Sequence, residues 1–315
     1  MTTRTFIVAA FASLGIASTG LGERGGQFSV EQKLTASDAA ESDYFGHNVS
    51  IWGNTALTGA AYDDDNGSNS GSVYVYQLLG DDTWSEVQKL TASDAAEHDN
   101  FGQNVAISDD TILIGSAYDD DNGSQSGSAY LYKRQDDGTW SEAQKLTASD
   151  ASGADTFGNS VAISGTTSLV GAYYDDDNGS SSGSAYLYQQ QDDGTWSEIQ
   201  KLTASDGAGS EFFGQDAAIS GDTVLIGADR DDDNGSRSGS AYLYYSPTPA
   251  TTGACCVNTG CDILTLSQCW NLGGVYMAGT SCDECDTVCL PDINGDGTVG
   301  VVDLLEVIDA WGICP

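Results

Sequence analysis

The stretch WSEVQKLTASDAAEHDNFGQNVAISDDTILIGSAYDDDNGSQSGSAYLY runs from Trp84 to Tyr132, and its organisation recurs along the chain. Gln-Lys-Leu begins at Gln32, Gln88, Gln144 and Gln200, 56 residues apart each time. Phe-Gly keeps the same interval at Phe45, Phe101, Phe157 and Phe213. Trp84, Trp140 and Trp196 stay in register, and Phe28 stands where the first of that set falls. A fixed period of this length is the signature of a repeat architecture. Each unit holds four short strand-like runs: Trp84–Leu90, Asn104–Ser108, Thr111–Gly115 and Ser128–Tyr132. Glycine, aspartate and asparagine separate them, as turns require. No stretch of the repeated part carries a helical apolar period of useful length.

Four strands per unit fit the blade of a β-propeller. In the fourth run Ala129 and Leu131 face one way and Tyr130 and Tyr132 the other. Both faces are bulky or apolar, so both are expected to be covered. The predicted fold class is all-β: a β-propeller of four 56-residue, four-stranded blades over residues 28–246. Phe28 to Leu34 copies the Gln-Lys-Leu strand with no repeat before it, and the last unit ends at Tyr245 without such a strand. The N-terminal strand is therefore expected to complete the last sheet and close the ring, leaving no edge open. A solenoid of stacked four-stranded units is the alternative.

The Phe-Gly pairs are followed by Gly59-Ala60-Ala61, Gly115-Ser116-Ala117, Gly171-Ala172-Tyr173 and Gly227-Ala228-Asp229. This pattern, with the Gly-Ser-x-Tyr-x-Tyr strand, resembles the FG-GAP repeat of integrin alpha-chain propellers and of many exported bacterial proteins. The proline of that signature is absent from all four units. The resemblance implies a propeller with calcium loops between the first two strands of a blade. Here that connection is as short as Ser108-Asp109-Asp110-Thr111 and holds no such loop.

An aspartate string joins the third and fourth runs of each unit, as in Tyr62–Tyr76, YDDDNGSNSGSVYVY. Asp63 and Asp65 are two residues apart, followed by Gly67 and Asn69; the copies are Asp119 and Asp121, Asp175 and Asp177, Asp231 and Asp233. Hard oxygen ligands at alternate positions with a glycine to turn the chain suit calcium. Without a cation the carboxylates repel one another. The competing reading is a solvated acidic turn, since no bidentate acid ends the string.

The Phe-Gly phenylalanines read as core and the tryptophan series as packing between blades. Trp52 departs from the repeat, its equivalents being Ser108, Ser164 and Ser220. It fills a local gap or marks a binding spot at one end of the ring. His47 and His98 are the two histidines, and they do not occupy matching repeat positions. No Ser-His-Asp or Cys-His spacing suggests a nucleophile with its base. Repetition itself argues against one unique catalytic centre, so no enzyme is expected.

The chain of 315 residues carries 47 acidic and 10 basic residues, a formal charge of -37. That balance excludes a nucleic-acid binder and disfavours an anionic membrane surface. Residues 1–22 read as a secretory signal: Arg4, then an apolar run from Phe6 to Ala17, then small residues, too short to span a bilayer. No second apolar run of spanning length follows, so no membrane insertion is expected.

All eight cysteines lie between Cys255 and Cys314. After a linker over 247–253, residues 254–289 read as a disulfide-rich module. Cys282-x-x-Cys285 has no matching second pair for zinc. This module resembles cysteine-rich segments of exported bacterial proteins. In residues 290–315, Asp292, Asn294 and Asp296 take loop positions for calcium, Gly297 the turn, Thr298 a carbonyl position and Asp303 the last position. A helix from Leu304 to Trp311 is predicted to follow. This segment resembles one repeat of a type I dockerin, whose partner is a cohesin. Together these features suggest a secreted or cell-surface scaffold that takes calcium as cofactor and binds an extracellular protein or polysaccharide. A purely structural matrix protein of stacked repeats is the alternative, and an exported enzyme the third.

Overall fold

The computed structural model describes residues 31–245 and three strands of the tail, Thr252–Val257, Gly260–Thr265 and Val275–Ala278. The repeat becomes a series of antiparallel sheets. The first contains β1 (Val49–Trp52), β2 (Thr55–Ala60), β3 (Ser72–Leu78) and β4 (Trp84–Leu90), in chain order. The second contains β5 (Asn104–Ser108), β6 (Thr111–Ser116), β7 (Ser128–Arg134) and β8 (Trp140–Leu146). The third contains β9 (Ser160–Ser164), β10 (Thr167–Ala172), β11 (Ser184–Gln190) and β12 (Trp196–Leu202). The fourth has three strands, β13 (Asp216–Ser220), β14 (Thr223–Ala228) and β15 (Ser240–Tyr245).

Local chemistry sets these boundaries. The first two strands of each sheet turn through Gly53, Asp109, Gly165 or Gly221, with φ between 52° and 57°. Tight hairpins need that left-handed residue, which glycine and aspartate tolerate best. The pairing of β3 with β4 slips between Val75 and Tyr76, leaving Val87 unpaired; the same bulge recurs in the second and third sheets. Such a bulge bends the outer strand and increases its twist.

Successive sheets pack face to face. Leu57, Val73 and Val75 of the first sheet meet Val105, Ile107, Ile112 and Ile114 of the second in one core. Leu113 and Leu131 meet Val161, Ile163 and Val170, and Leu169 meets Val224 and Ile226. The Phe-Gly pair makes this close stacking possible. Phe101 bridges Gly71 of the sheet before it, and its ring packs on Tyr130 of its own sheet at 5.4 Å. The Gly102 amide donates to the Gly115 carbonyl at 3.0 Å. A Cβ on Gly59 would stand 2.0 Å from the Gly102 carbonyl oxygen, so only glycine fits where the two backbones pass.

The successive sheets are consistent with the expected propeller, but its closure by the N-terminal strand is not seen among the described residues, where the fourth sheet has three strands instead of four. Among the described residues no strand joins β15, and 31–36 form no strand. Gln32 instead clamps the edge of the first sheet: its Nε2 donates to the Trp84 carbonyl at 2.7 Å, and the Trp84 amide donates to its Oε1 at 2.8 Å. Nor do the described residues after Tyr245 supply the strand. Thr252–Val257 falls one period after the start of β12, but as β16 it pairs with β17 (Gly260–Thr265) and β18 (Val275–Ala278) in a separate sheet.

The tail is corrected as well. Among the described residues there is no helix and no disulfide, so the disulfide-rich and EF-hand-like modules drop out of the fold class. Cys255, Cys256 and Cys261 stand in β16 and β17, joined by an ordinary antiparallel ladder in which Cys256 is opposite Cys261. The dockerin-like loop, with Asp292, Asn294, Asp296, Thr298 and Asp303, lies outside the described residues. So do the helix expected after it and the signal segment 1–22.

Candidate functional site

The aspartate strings fold into cages around a lysine. Tyr74 of β3 and Lys89 of β4 are direct cross-strand partners. That pairing brings the lysine over the tyrosine ring, 5.1 Å from its centre. The string curls beside them because the Asp65 amide donates to Asp63 Oδ1 at 3.1 Å and the Gly71 amide to the Asp63 carbonyl at 2.9 Å. The third wall is Asp38, from the Thr-Ala-Ser-Asp segment after Gln-Lys-Leu. Its neighbour Ser37 is anchored by Glu86, which accepts from the Ser37 amide at 2.9 Å and hydroxyl at 2.7 Å.

Lys89 Nζ then lies 2.8 Å from Asp38, 2.9 Å from Asp63 and 2.5 Å from Asp65. The Tyr74 hydroxyl reaches Asp38 at 2.6 Å and Asp63 at 2.9 Å. The next unit repeats the cage with Lys145 on Asp94, Asp119 and Asp121 at 2.7, 2.8 and 2.5 Å. In the third, Lys201 meets Asp150 at 2.6 Å, Asp175 at 2.9 Å and Asp177. Asp94 and Asp150 come from connectors between sheets, so each of these cages ties a connector to the sheet that follows.

Electrostatics follow from this geometry. Hydrogen bonds from Lys89 and Tyr74 hold the Asp38 carboxyl below its ordinary value. At Asp63 burial pushes upward, but hydrogen bonds from Lys89, the Asp65 amide and Tyr74 outweigh it and hold the carboxyl low. Burial opposes the charge on Lys89, yet its bonds to Asp38, Asp65, Tyr74 and Asp63 raise its pKa. Burial and the carboxylates raise Tyr74, so it stays a neutral donor.

Asp63 with Asp65, Asp119 with Asp121 and Asp175 with Asp177 are therefore brought together. Each trio offers ligand atoms within 4.8 Å of one another, a set that could coordinate a divalent cation. The lysine ammonium sits at that centre. Asn69 stays out of the trio: it turns the chain at φ 53°, and its amide donates to Asp64 at 2.7 Å. The sequence reading missed Asp38, Asp94, Asp150 and the three lysines. Their signal is the conserved interval of Gln-Lys-Leu-Thr-Ala-Ser-Asp itself, which carries both a lysine and an aspartate at each period.

The fourth unit differs. Asp231 and Asp233 face Asp206, and the Tyr242 hydroxyl reaches Asp231 at 2.7 Å and Asp206 at 3.0 Å. The lysine has no counterpart, because Val257 of β16 stands one period after Lys201. Elsewhere, Phe101, Phe157 and Phe213 are fully buried and Trp140 and Trp196 pack between sheets, as expected. Trp52 is half exposed, in a shallow recess with Gln77, Asp109, Asp110 and Arg134. The histidines are apart: His47 lies against the Gln103 carbonyl and His98 against Asn69.

The FG-GAP repeat matches residues 28–76, 84–132, 140–188 and 196–244. The chain belongs to the FG-GAP repeat family. Each match starts at the outer-strand copy of one unit and ends in the tyrosine strand of the next sheet. The FG-GAP repeat is a non-catalytic scaffold family, consistent with the expectation of no enzymatic activity in the matched residues. The match does not reach the tail, so it supports no exported bacterial type, cysteine-rich segment or dockerin-like repeat, and the cohesin partner rested on the last of these. No curated protein matches. Among solved structures, Saccharomyces cerevisiae Sqt1 is similar with a TM-score of 0.35 and 14% identity, over 59% of this chain and 43% of that one. The chain thus spans less than half of that protein's length. Among the described residues no helix is long and apolar enough to cross a membrane.

Proposed function

We propose that this FG-GAP chain is a secreted or cell-surface scaffold that binds an extracellular protein or polysaccharide. The observation that carries the reading is the aspartate–lysine cage repeated in three successive units. It spends the charged residues on locking sheets together instead of building one reacting centre. A rigid array of this kind presents loops and recesses at fixed spacing. The acidic balance suits a soluble exported surface and disfavours nucleic acid. Trp52 with Arg134 supplies the irregular, aromatic and cationic spot that a binding face uses. Calcium is the accessory cation of this reading, entering an aspartate trio when the lysine swings out.

The test is a panel of glycans and surface proteins against the immobilised full chain. Saturable binding that Trp52→Ala weakens by about tenfold or more supports the scaffold reading. Absence of any saturable ligand favours the second reading, a structural repeat protein. The uncovered apolar faces of the first and fourth sheets are the observation behind that second reading.

A further inference from the structure

The units stack by one rule, and the rule leaves a matching half at each end of the molecule. Gly59, Gly115 and Gly171 receive the carbonyl oxygens of Gly102, Gly158 and Gly214 at 2.0, 1.9 and 2.0 Å from where a Cβ would stand. Left over are Gly46, with nothing within 4 Å, and Gly227, whose nearest neighbour is 3.7 Å away. The apolar faces divide in the same way. Leu57, Leu113 and Leu169 are buried, but their equivalent Leu225 is 45% exposed. Val75 and Leu131 are buried, but Leu243 is 59% exposed. At the other end Val49 and Ile51 are 67% and 63% exposed, where Val105 and Ile107 are buried.

Strand and charge complete the pattern. Gln88 holds the Trp140 backbone and Ser93 is held by Glu142, while the strand carrying Gln88 belongs to the sheet before. Gln32 and Ser37 hold the first sheet in the same way, through Trp84 and Glu86. Here no sheet stands before it among the described residues. Lys33 stands where Lys89 stands one period later, and it makes no ion pair among the described residues. The fourth unit has the opposite defect, an aspartate group without a lysine. Repulsion from Asp231 and Asp206 holds Asp233 above its ordinary value.

We propose that a second copy of this chain docks head to tail on the fourth sheet. Its Glu31–Leu34 segment adds to the open edge of β15, its Lys33 enters the group of Asp206, Asp231 and Asp233, and its Val49–Ile51 face covers Leu225 and Leu243. The Gly46 backbone of that copy passes Gly227 as Gly102 passes Gly59. This is strand addition through a heterologous contact, which propagates or closes into a ring of copies. It rests on the second reading above, the structural repeat protein, and names what covers its end faces. If copies do not associate, binding of another macromolecule in the panel above is unaffected.

The experiment is sedimentation velocity of the full chain from low to high micromolar, at about 0.15 M salt to screen its net charge. The expected mass rises from one chain, 32.7 kDa, to twice that or more. Lys33→Glu weakens association about tenfold or more, and Lys33→Glu combined with Asp233→Lys restores it to within about threefold. Gly227→Ala weakens association without lowering the melting temperature. A chain that stays monomeric throughout overturns the proposal, and protection of β15 amides from exchange in that monomer would mean its own segment covers the edge. Association that neither Lys33→Glu nor Gly227→Ala weakens also overturns it.

Discussion

Lys145 is 20% exposed, carries one charge and faces three carboxylates, one of them nearly fully buried. Removing the ammonium leaves Asp94, Asp119 and Asp121 to repel one another in a half-dry site. Lys145→Met should therefore cost about 2–4 kcal/mol in denaturant unfolding. If calcium can take the vacated centre, it should return part of that stability and bind to the variant more tightly than to the parent, as titration calorimetry would read. Asp99 and Asp155 behave differently. Burial pushes each up to about 6, against an amide hydrogen bond from Ala96 or Ser152 and with repulsion from Asp119 or Asp175 added. A raised carboxyl stabilises the fold when protonated, so its contribution is complete below the ordinary 3.8 and fades as pH rises through about 6. Asp38, Asp63, Asp94 and Asp150 are held low, and their contribution is lost as pH falls below 3.8. The melting temperature should peak between about pH 4 and 6, and Asp99→Asn should flatten the decline above the peak by on the order of 1 kcal/mol.

At the scale of the element, the glycines decide how closely sheets approach. A Cβ on Gly115 would stand 1.9 Å from the Gly158 carbonyl oxygen, backbone against backbone, with no flexible group to yield. Gly115→Ala should force the second and third sheets apart and cost about 3 kcal/mol or more, while Gly227→Ala in a single molecule should cost less than about 1 kcal/mol. Paired thermal melts check the contrast. The strands themselves were legible. Trp84–Leu90 and Asn104–Ser108 were read to the residue, and β6 exceeds its expected run only by Ser116. Their boundaries are written locally, in turn residues and alternation. The cage was half legible for the complementary reason. Asp63 and Asp65 announce themselves as neighbours in sequence, but Lys89 reaches them from 26 and 24 residues away and Asp38 from 51. Only strand pairing and stacking of the sheets bring those groups together.

At the scale of the whole molecule, the sheets are consistent with a propeller, but its closure is not seen among the described residues, and closure is the least local pairing the chain could make. Phe28–Leu34 has the composition of the missing strand, but composition does not say whose sheet it joins. What the fold leaves is a row of units, each bonded mainly to its neighbours, and stability in such a row is a sum of unit and interface terms. The second and third sheets have an interface on both faces; the first and fourth have one each. Among the described residues the fourth also lacks its outer strand and its lysine, and its outer two strands, β13 and β15, alternate between exposed and half-buried positions. Local opening should follow that ranking. In dilute solution, hydrogen exchange should be fastest in β13–β15, intermediate in β1–β4 and slowest in β5–β12. The span should be about 2–3 kcal/mol of opening free energy, one interface's worth. Uniform protection across the four sheets would contradict the row, because only a structure with no uncovered end could give every sheet the same two neighbours.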